Sequence, residues 1–356
     1  MKTEIAIVGG GLSGLALADG LHQAGVDFQL FEARPRLGGR IAALATPAGA
    51  VDLGPSWFWP GQPRIARLIE DLGLRAFPQH ADGDICFEDE RGIVHRGMGF
   101  ASMEGSFRLE GGMESIIRGL GARLPQERLH LSSGVTEIAQ DGRLLIDGDR
   151  WCEARQVVLA LPPRIAATLR FRPALETDTA RHLAAIPTWM AGHAKFVAVY
   201  DAPFWRRDGL SGDAMSRRGP LAEIHDASGP DGAPAALFGF LGVPAPQRRG
   251  REDDLRAAAL QQLARIFGPE AAAPVTTDFA DWAIQPETAT EADAAAPAGH
   301  PAYGLPAALV GTWEGRLHFA STETASDMGG LMEGALASAD RVLGLVLGAR
   351  RNRPAR

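Results

Sequence analysis

A chain of 356 residues that is 46% hydrophobic and 22% charged has an ordinary globular composition, long enough for two domains and a core that needs no disulfide staples. A net charge of −7, with no basic stripe carrying interleaved aromatics, speaks against a nucleic-acid footprint. The first strand leaves no room for a charged and apolar leader, no apolar run reaches the roughly 20 residues of a membrane span, and the two cysteines and nine histidines show no metal-like spacing; the expectation is a cytoplasmic protein without membrane anchor or bound metal.

Ile5 to Val8 read as a buried strand, and Gly9, Gly11 and Gly14 form G-x-G-x-x-G around Ser13. The residues that follow place Leu12, Leu15 and Leu21 at helical spacing, and Gly25 closes the helix. A second strand, Phe28 to Phe31, ends at Glu32, where an acid meets an adenosine ribose. One glycine permits the tight turn, the next lets backbone approach a pyrophosphate, the third lets helix and strand pack, and the helix N-terminus faces the phosphate charge. Such a clamp with Glu32 disfavours a 2′-phosphate and leaves NAD and FAD open. The next segment, Ala33-Arg34 through Gly38-Gly39-Arg40, brings a glycine pair for close backbone approach and a cation, Arg40, that suits a pyrophosphate.

Further along, Asp52-Leu-Gly54-Pro55-Ser56-Trp57-Phe-Trp59 precedes a helix from about 63 to 72, with Ile65, Leu68, Ile69 and Leu72 on one face. Residues 77–107 alternate in short runs and read as a hairpin. Gly111-Gly-Met feeds a helix, Arg128 to Ile138 reads as one strand containing Val135, and Gln156 to Leu161 is an apolar strand stopped by Pro162 and Pro163. Ala194-Lys195-Phe-Val-Ala-Val-Tyr200 is a strand before Pro203-Phe-Trp; a lysine among apolar neighbours is costly to bury without a partner, which points to a site or to a snorkelling stem. Leu237 to Val243 form another strand, Glu252 to Phe267 an amphipathic helix, and 289–302 an Ala/Pro-rich linker. Trp282 follows Asp281. The chain closes with Phe319-Ala-Ser-Thr-Glu323-Thr, then Gly329-Gly-Leu331-Met332-Glu-Gly-Ala and a last helix.

Taken together and in this order, these segments resemble the flavin amine oxidase superfamily, which includes monoamine and polyamine oxidases, as a compact, bacterial-type member. The match runs through E-A-x-x-x-x-G-G-R, D-x-G-x-x-W, G-G-M, the A-x-P-P strand end, the lysine strand with P-F-W, W-x-x-x-P, F-A-G-T-E-T and G-Y-M-E-G-A, and it spans nearly the whole chain. The resemblance implies an α/β chain: an FAD-binding Rossmann-like, three-layer ββα domain from 1–75, 108–175 and 300–350, and a second α+β substrate domain from 76–107 and 176–299, with 351–356 a basic tail. It implies that Gly9, Gly11, Ser13, Gly14, Glu32, Ala33, Arg34, Gly39 and Arg40 hold the dinucleotide, that Gly54, Pro55, Ser56 and Trp57 lie against the ring, and that the Val135 backbone meets adenine. Trp282 is placed near the benzenoid edge, or is core. Glu323 is assigned to the ribityl and pyrophosphate region, and the backbone of Met332, beside Leu331, to the flavin pyrimidine carbonyl. Lys195 is the catalytic candidate, acting through a water at flavin N5.

Three departures qualify the pattern. Ser321 replaces a glycine, Leu331 replaces a tyrosine of the aromatic amine cage, and His300-Pro-Ala-Tyr303 stands where some members carry the cysteine that bonds the flavin. The expected substrate pocket is therefore Trp57, Tyr303 and Leu331, and the FAD non-covalent. The implied reaction is hydride transfer from an amine carbon to flavin N5, giving an imine, then aldehyde or ketone, with oxygen returned as hydrogen peroxide. Small amines and oxygen are the expected partners, and a homodimer is compatible. A desaturase or protoporphyrinogen-oxidase-like reaction, or a non-catalytic flavin-binding module, is the alternative.

Overall fold

The structure is a computed structural model that describes residues 1–295, 297 and 299–351. Asn352 to Arg356, most of the expected basic tail, lies outside the described residues. The apolar run at Ile5–Val8 becomes the centre of a sheet because both its faces are covered. Its strand, Lys2–Val8, pairs in parallel with Phe28–Phe31 on one side and with Arg150–Leu159 on the other. Leu129–His130 and Leu317–Phe319 extend the two flanks, also in parallel. Helices Leu12–Gln23, Glu114–Arg123 and Met332–Arg351 bury Leu15, Leu120 and Val342 on one face. The opposite face carries Ala6, Val157 and Phe319, together with Leu183 from the Thr177–Ala185 helix. This is the Rossmann-like arrangement, with Val135–Ala139 and Arg143–Ile146 running antiparallel up to the first half of Arg150–Leu159.

The reading of Arg128 to Ile138 as one strand does not hold. Leu129–His130 belongs to the parallel flank, and Val135–Ala139 starts the antiparallel extension. Between them Ser132 takes φ +48°, and the link is pinned where Ser132 N donates to Arg34 O at 2.9 Å and Ser133 N to Glu32 O at 2.8 Å. The break lets one segment serve two neighbours, because a continuous strand would carry Val135 away from the Glu32 turn.

The second sheet has seven strands, in the order Thr276–Asp281, Ala194–Tyr200, Ala235–Leu241, Leu221–Asp226, Leu210–Ser216, Asp84–Glu88 and Val94–Arg96. Strand alternation gives it two unlike faces. Phe196, Tyr200, Leu237 and Ile224 lie under the Glu252–Phe267 helix, whereas Val197, Val199, Ala236 and Phe238 pack toward Val51 of the nucleotide half. Lys195, one residue out of phase with Phe196, falls on this second face. The expected hairpin in 77–107 forms the Asp84–Glu88 and Val94–Arg96 pair at the sheet edge.

Candidate active site

At the first turn, Gly9 adopts φ +111°, and a Cβ there would stand 2.6 Å from the Ala160 carbonyl oxygen. A Cβ on Gly14 would collide with the Gly9 carbonyl oxygen, so helix and strand pack only with glycine at this position. Gly11 meets the opposite condition: nothing lies nearer than 4.0 Å, and the backbone is open to approach. No side chain caps the helix that starts at Leu12, so its N-terminal donors remain for an anion. Glu32 is buried and braces this loop, accepting from Gly10 N at 2.7 Å and Arg34 N at 2.9 Å. Arg34 reaches across to Thr288 and Glu287 at 2.9 and 3.2 Å, and Ser13 Oγ donates to Ala320 O.

Arg40 and Glu323, 283 residues apart, form a two-pronged pair at 2.6 and 3.2 Å. Glu323 is fully buried and also accepts from Trp189 N at 3.4 Å, while Arg40 donates to Trp189 O at 3.3 Å. The carboxylate holds the Arg40 charge and keeps its guanidinium up against the opposing effect of burial. The closing helix makes its first internal bond from Ala335 N to Leu331 O, so the N–H groups of Met332 to Gly334 are unspent within the helix. Its Glu333 caps the neighbouring helix instead, accepting from Arg64 N and Ile65 N at 3.1 and 2.9 Å.

These groups open on one cavity of about 1080 Å³. Gly9, Gly11 and Ser13, then Glu32, Ala33 and Arg34, then Gly39 and Arg40 line one end, with Val135 beside them. Gly54, Pro55, Ser56 and Trp57 line the middle, as do Trp282, Leu331 and Met332, and Lys195 lies in the wall beyond. Gly14 and Glu323 stand one layer back, behind Gly9 and Arg40.

Tyr303 does not line the cavity. Its hydroxyl donates to Pro187 O at 3.0 Å, and the ring is stacked behind Gly329 and Gly330, where any Cβ would run into it. Trp189, which the sequence reading did not single out, takes the wall position in front. Its only signal is an aromatic in a short turn, and that is not specific. Phe240, Glu223, His193 and Arg248 are further wall residues missed from sequence. The one readable trace was Glu223 and His225, two apart on a strand and therefore on one face.

Lys195 is 2% exposed, and its ammonium donates to Gly54 O at 2.8 Å, Ser56 Oγ at 2.9 Å and Asp52 O at 3.2 Å. It also sits 3.9 Å from the Phe238 ring centre. Burial brings its ammonium down to about 7, with the Asp52 carboxylate opposing and Arg108 adding to the effect. Burial likewise raises the Asp52 carboxyl, whose Oδ2 has no hydrogen-bond partner among the described residues while Oδ1 accepts from Met113 N at 2.7 Å. Trp57 is fixed by its Nε1 donating to Gln79 at 2.7 Å, and its ring meets Phe238 at 5.3 Å. A dinucleotide fits this donor set: an uncapped helix terminus, an open glycine, a braced acid and a paired arginine at one end, and a chamber walled by aromatic rings at the other.

Residues 95–342 match the family described as flavin containing amine oxidoreductase, and residues 7–72 match the NAD(P)-binding Rossmann-like domain. A probable flavin-containing monoamine oxidase A of Dictyostelium discoideum is 23% identical over 448 aligned positions, covering 95% of this chain and 96% of the relative. The flavin-containing amine oxidase B of Cavia porcellus is 24% identical over 455 positions, covering 98% and 86%. Among solved structures, a cyclohexylamine oxidase from Brevibacterium oxydans IH-35A superposes with a TM-score of 0.83 at 20% identity, over 99% of this chain and 100% of the other. A wild-type putrescine oxidase bound to putrescine superposes with a TM-score of 0.80 at 20% identity, over 98% and 99%. At this identity the superpositions establish the shared fold alone. No helix among the described residues is long and apolar enough to cross a membrane.

Proposed function

The chain belongs to the flavin-containing amine oxidoreductase family, and from that premise we propose that it oxidises a small amine to an imine with FAD, releasing hydrogen peroxide from oxygen. The observation that carries this reading is the single continuous cavity joining the glycine-rich turn to the buried Lys195. When bound, FAD would supply a hydride acceptor that oxygen can reoxidise. The residues of the chain do the rest. Arg40, held by Glu323, and the helix terminus at Leu12 neutralise the pyrophosphate. Glu32 receives the adenosine ribose, and Val135 presents its backbone to adenine. The N-terminal donors of the closing helix, at Met332, face the flavin pyrimidine oxygen.

Trp57, Trp189, Phe240 and Leu331 wall the chamber, and by limiting water there they would favour the neutral form of the amine and orient it toward the flavin. Lys195, its ammonium lowered to about 7 by burial, holds a water beside the reacting edge by exchanging for it the longest of its three bonds, the 3.2 Å one to Asp52 O. The FAD is non-covalent: both cysteines, Cys86 and Cys152, are buried, and neither faces the cavity.

The test is anaerobic mixing of the FAD-loaded protein with primary, secondary and polyamines while flavin absorbance is followed. Bleaching by one class, then peroxide on admitting air, supports amine oxidation. A flavin left oxidised by every amine overturns it.

A further inference from the structure

His193 stands at the head of the Ala194–Tyr200 strand, two residues before Lys195 and so on the same face of the sheet, the two Cα atoms about 7 Å apart. Backbone fixes its place: Trp282 N donates to His193 O at 3.1 Å, and His193 N to Met190 O at 3.1 Å. Arg248 closes the same corner, its Nη2 donating to Gly192 O at 2.9 Å while Asp281 holds the guanidinium at 2.7 and 2.8 Å. The imidazole itself lines the cavity.

Its two ring nitrogens have unlike settings. Nδ1 is buried and in hydrogen-bonding geometry with no described group, so the ring edge turned to the cavity carries Nε2. The acceptor that acts on the ring is Met190 O, which lies on the main-chain side with Nδ1. This setting assigns the proton of the uncharged ring to Nδ1 and leaves the Nε2 lone pair facing the chamber. Burial, then the Arg248 charge, hold the ring below its ordinary value against the pull of Met190 O, so it is uncharged near neutral pH.

The other polar groups at this end of the cavity are poorer proton acceptors. Lys195 turns its nitrogen to Gly54 O, Ser56 Oγ and Asp52 O and serves as a donor, and Arg248 is a paired cation. A register break between Leu221 and Glu223 turns Glu223 to the cavity. Its Oε1 meets His225 Nε2 at 3.0 Å and Ser102 Oγ at 2.6 Å, and Asp213 holds His225 from the other nitrogen at 2.9 Å. The His225 bond keeps the Glu223 carboxyl below its usual range, which makes it a weak base.

We propose that His193 is a further catalytic residue, whose Nε2 accepts a hydrogen bond from the reacting amine nitrogen and takes the proton that this nitrogen releases as the imine forms. The inference rests on the amine-oxidation reading above. In that reaction the substrate C–H bond breaks and its electron pair passes to the flavin, while the nitrogen lone pair makes the C=N bond. One N–H bond then breaks, its electrons staying on nitrogen and its proton bonding to Nε2. Positive charge gathers on the nitrogen as the C–H bond breaks, so the bond to Nε2 is stronger in the transition state than in the bound amine. The imidazolium, disfavoured by burial and by Arg248, gives the proton back to water through the cavity.

The test is the limiting rate of anaerobic flavin reduction in the FAD-loaded protein, measured with whichever primary, secondary or polyamine bleaches the flavin fastest. His193→Gln, which keeps polar bulk but no basic nitrogen, is expected to lower that rate about a hundredfold with less change in KM. His193→Ala is expected to fall as far and to recover with added imidazole, the recovery following the uncharged fraction of imidazole as pH rises. A residue that only shaped the wall would give no such rescue. In the unmodified protein with its flavin already reduced, nitrogen NMR of the histidine rings near neutral pH is expected to show one uncharged ring, protonated on Nδ1, whose signals shift when the amine is added. An imidazolium or an Nε2–H ring there overturns the inference even where a variant fails to fold. So does a His193→Gln rate within about threefold of the unmodified protein, or a His193→Ala variant that imidazole does not restore, and each leaves amine oxidation standing. A flavin reduced by no amine overturns both.

Discussion

At the nucleotide end of the cavity the working groups are backbone and near neighbours: Gly9, Gly11 and Gly14 in one turn, and Glu32 bracing Gly10 and Arg34 across a strand end. At the substrate end they are side chains from one face of four strands, Lys195, Phe240, Glu223 with His225, and Asp213, brought together only by strand order. The first region is steric in nature and tolerates little change of shape. The second is electrostatic and responds to charge and pH.

The largest expected effect lies in the electrostatic half. Because burial lowers the Lys195 ammonium from 10.5 to about 7, the folded chain binds fewer protons than the unfolded chain between those values, and unfolding free energy rises with pH across that window. Lys195→Met is expected to remove this slope, up to about 1.4 kcal/mol per pH unit. Denaturant titrations at several pH values, set beside the unmodified protein, check it, and parallel curves would mean that the buried ammonium keeps its ordinary value. In the same variant, unchanged rates of flavin reduction and reoxidation would remove Lys195 from the reaction.

Next comes the ion pair that ties the steric half to the closing segment. Arg40→Met leaves Glu323 fully buried without its cation, and a loss of about 3–5 kcal/mol, with loss of FAD on gel filtration, is expected. A variant that keeps both stability and FAD would show that the pair with Arg40 supports neither.

Gly14→Ala tests the steric half directly. Its methyl would meet the Gly9 carbonyl, so about 1–3 kcal/mol of stability and much of the FAD affinity should go. Gly344→Ala is the control of opposite sign: it lies exposed in the closing helix with nothing within 4 Å, and should gain about 1 kcal/mol, read as a higher Tm. If both glycine variants behave alike, the packing argument for the clamp fails.

The sequence by itself determined the clamp, the Rossmann-like α/β fold and the membership of a flavin amine oxidase family, since G-x-G-x-x-G, Glu32 and the closing Met332 helix are local constraints written in consecutive residues. The apolar period likewise placed the Glu252–Phe267 helix at its observed bounds. Only the tertiary structure decided which side chains share a wall. It turned Tyr303 onto Pro187 and set Trp189 in its place, it joined Arg40 to Glu323, and it broke the Arg128 to Ile138 run between two sheet neighbours. It also aimed Glu223 at the cavity through one irregularity in a strand. The reason is physical: a backbone turn is specified by the residues that make it, whereas a side chain's surroundings depend on the register and order of strands whose partners lie far away in the chain.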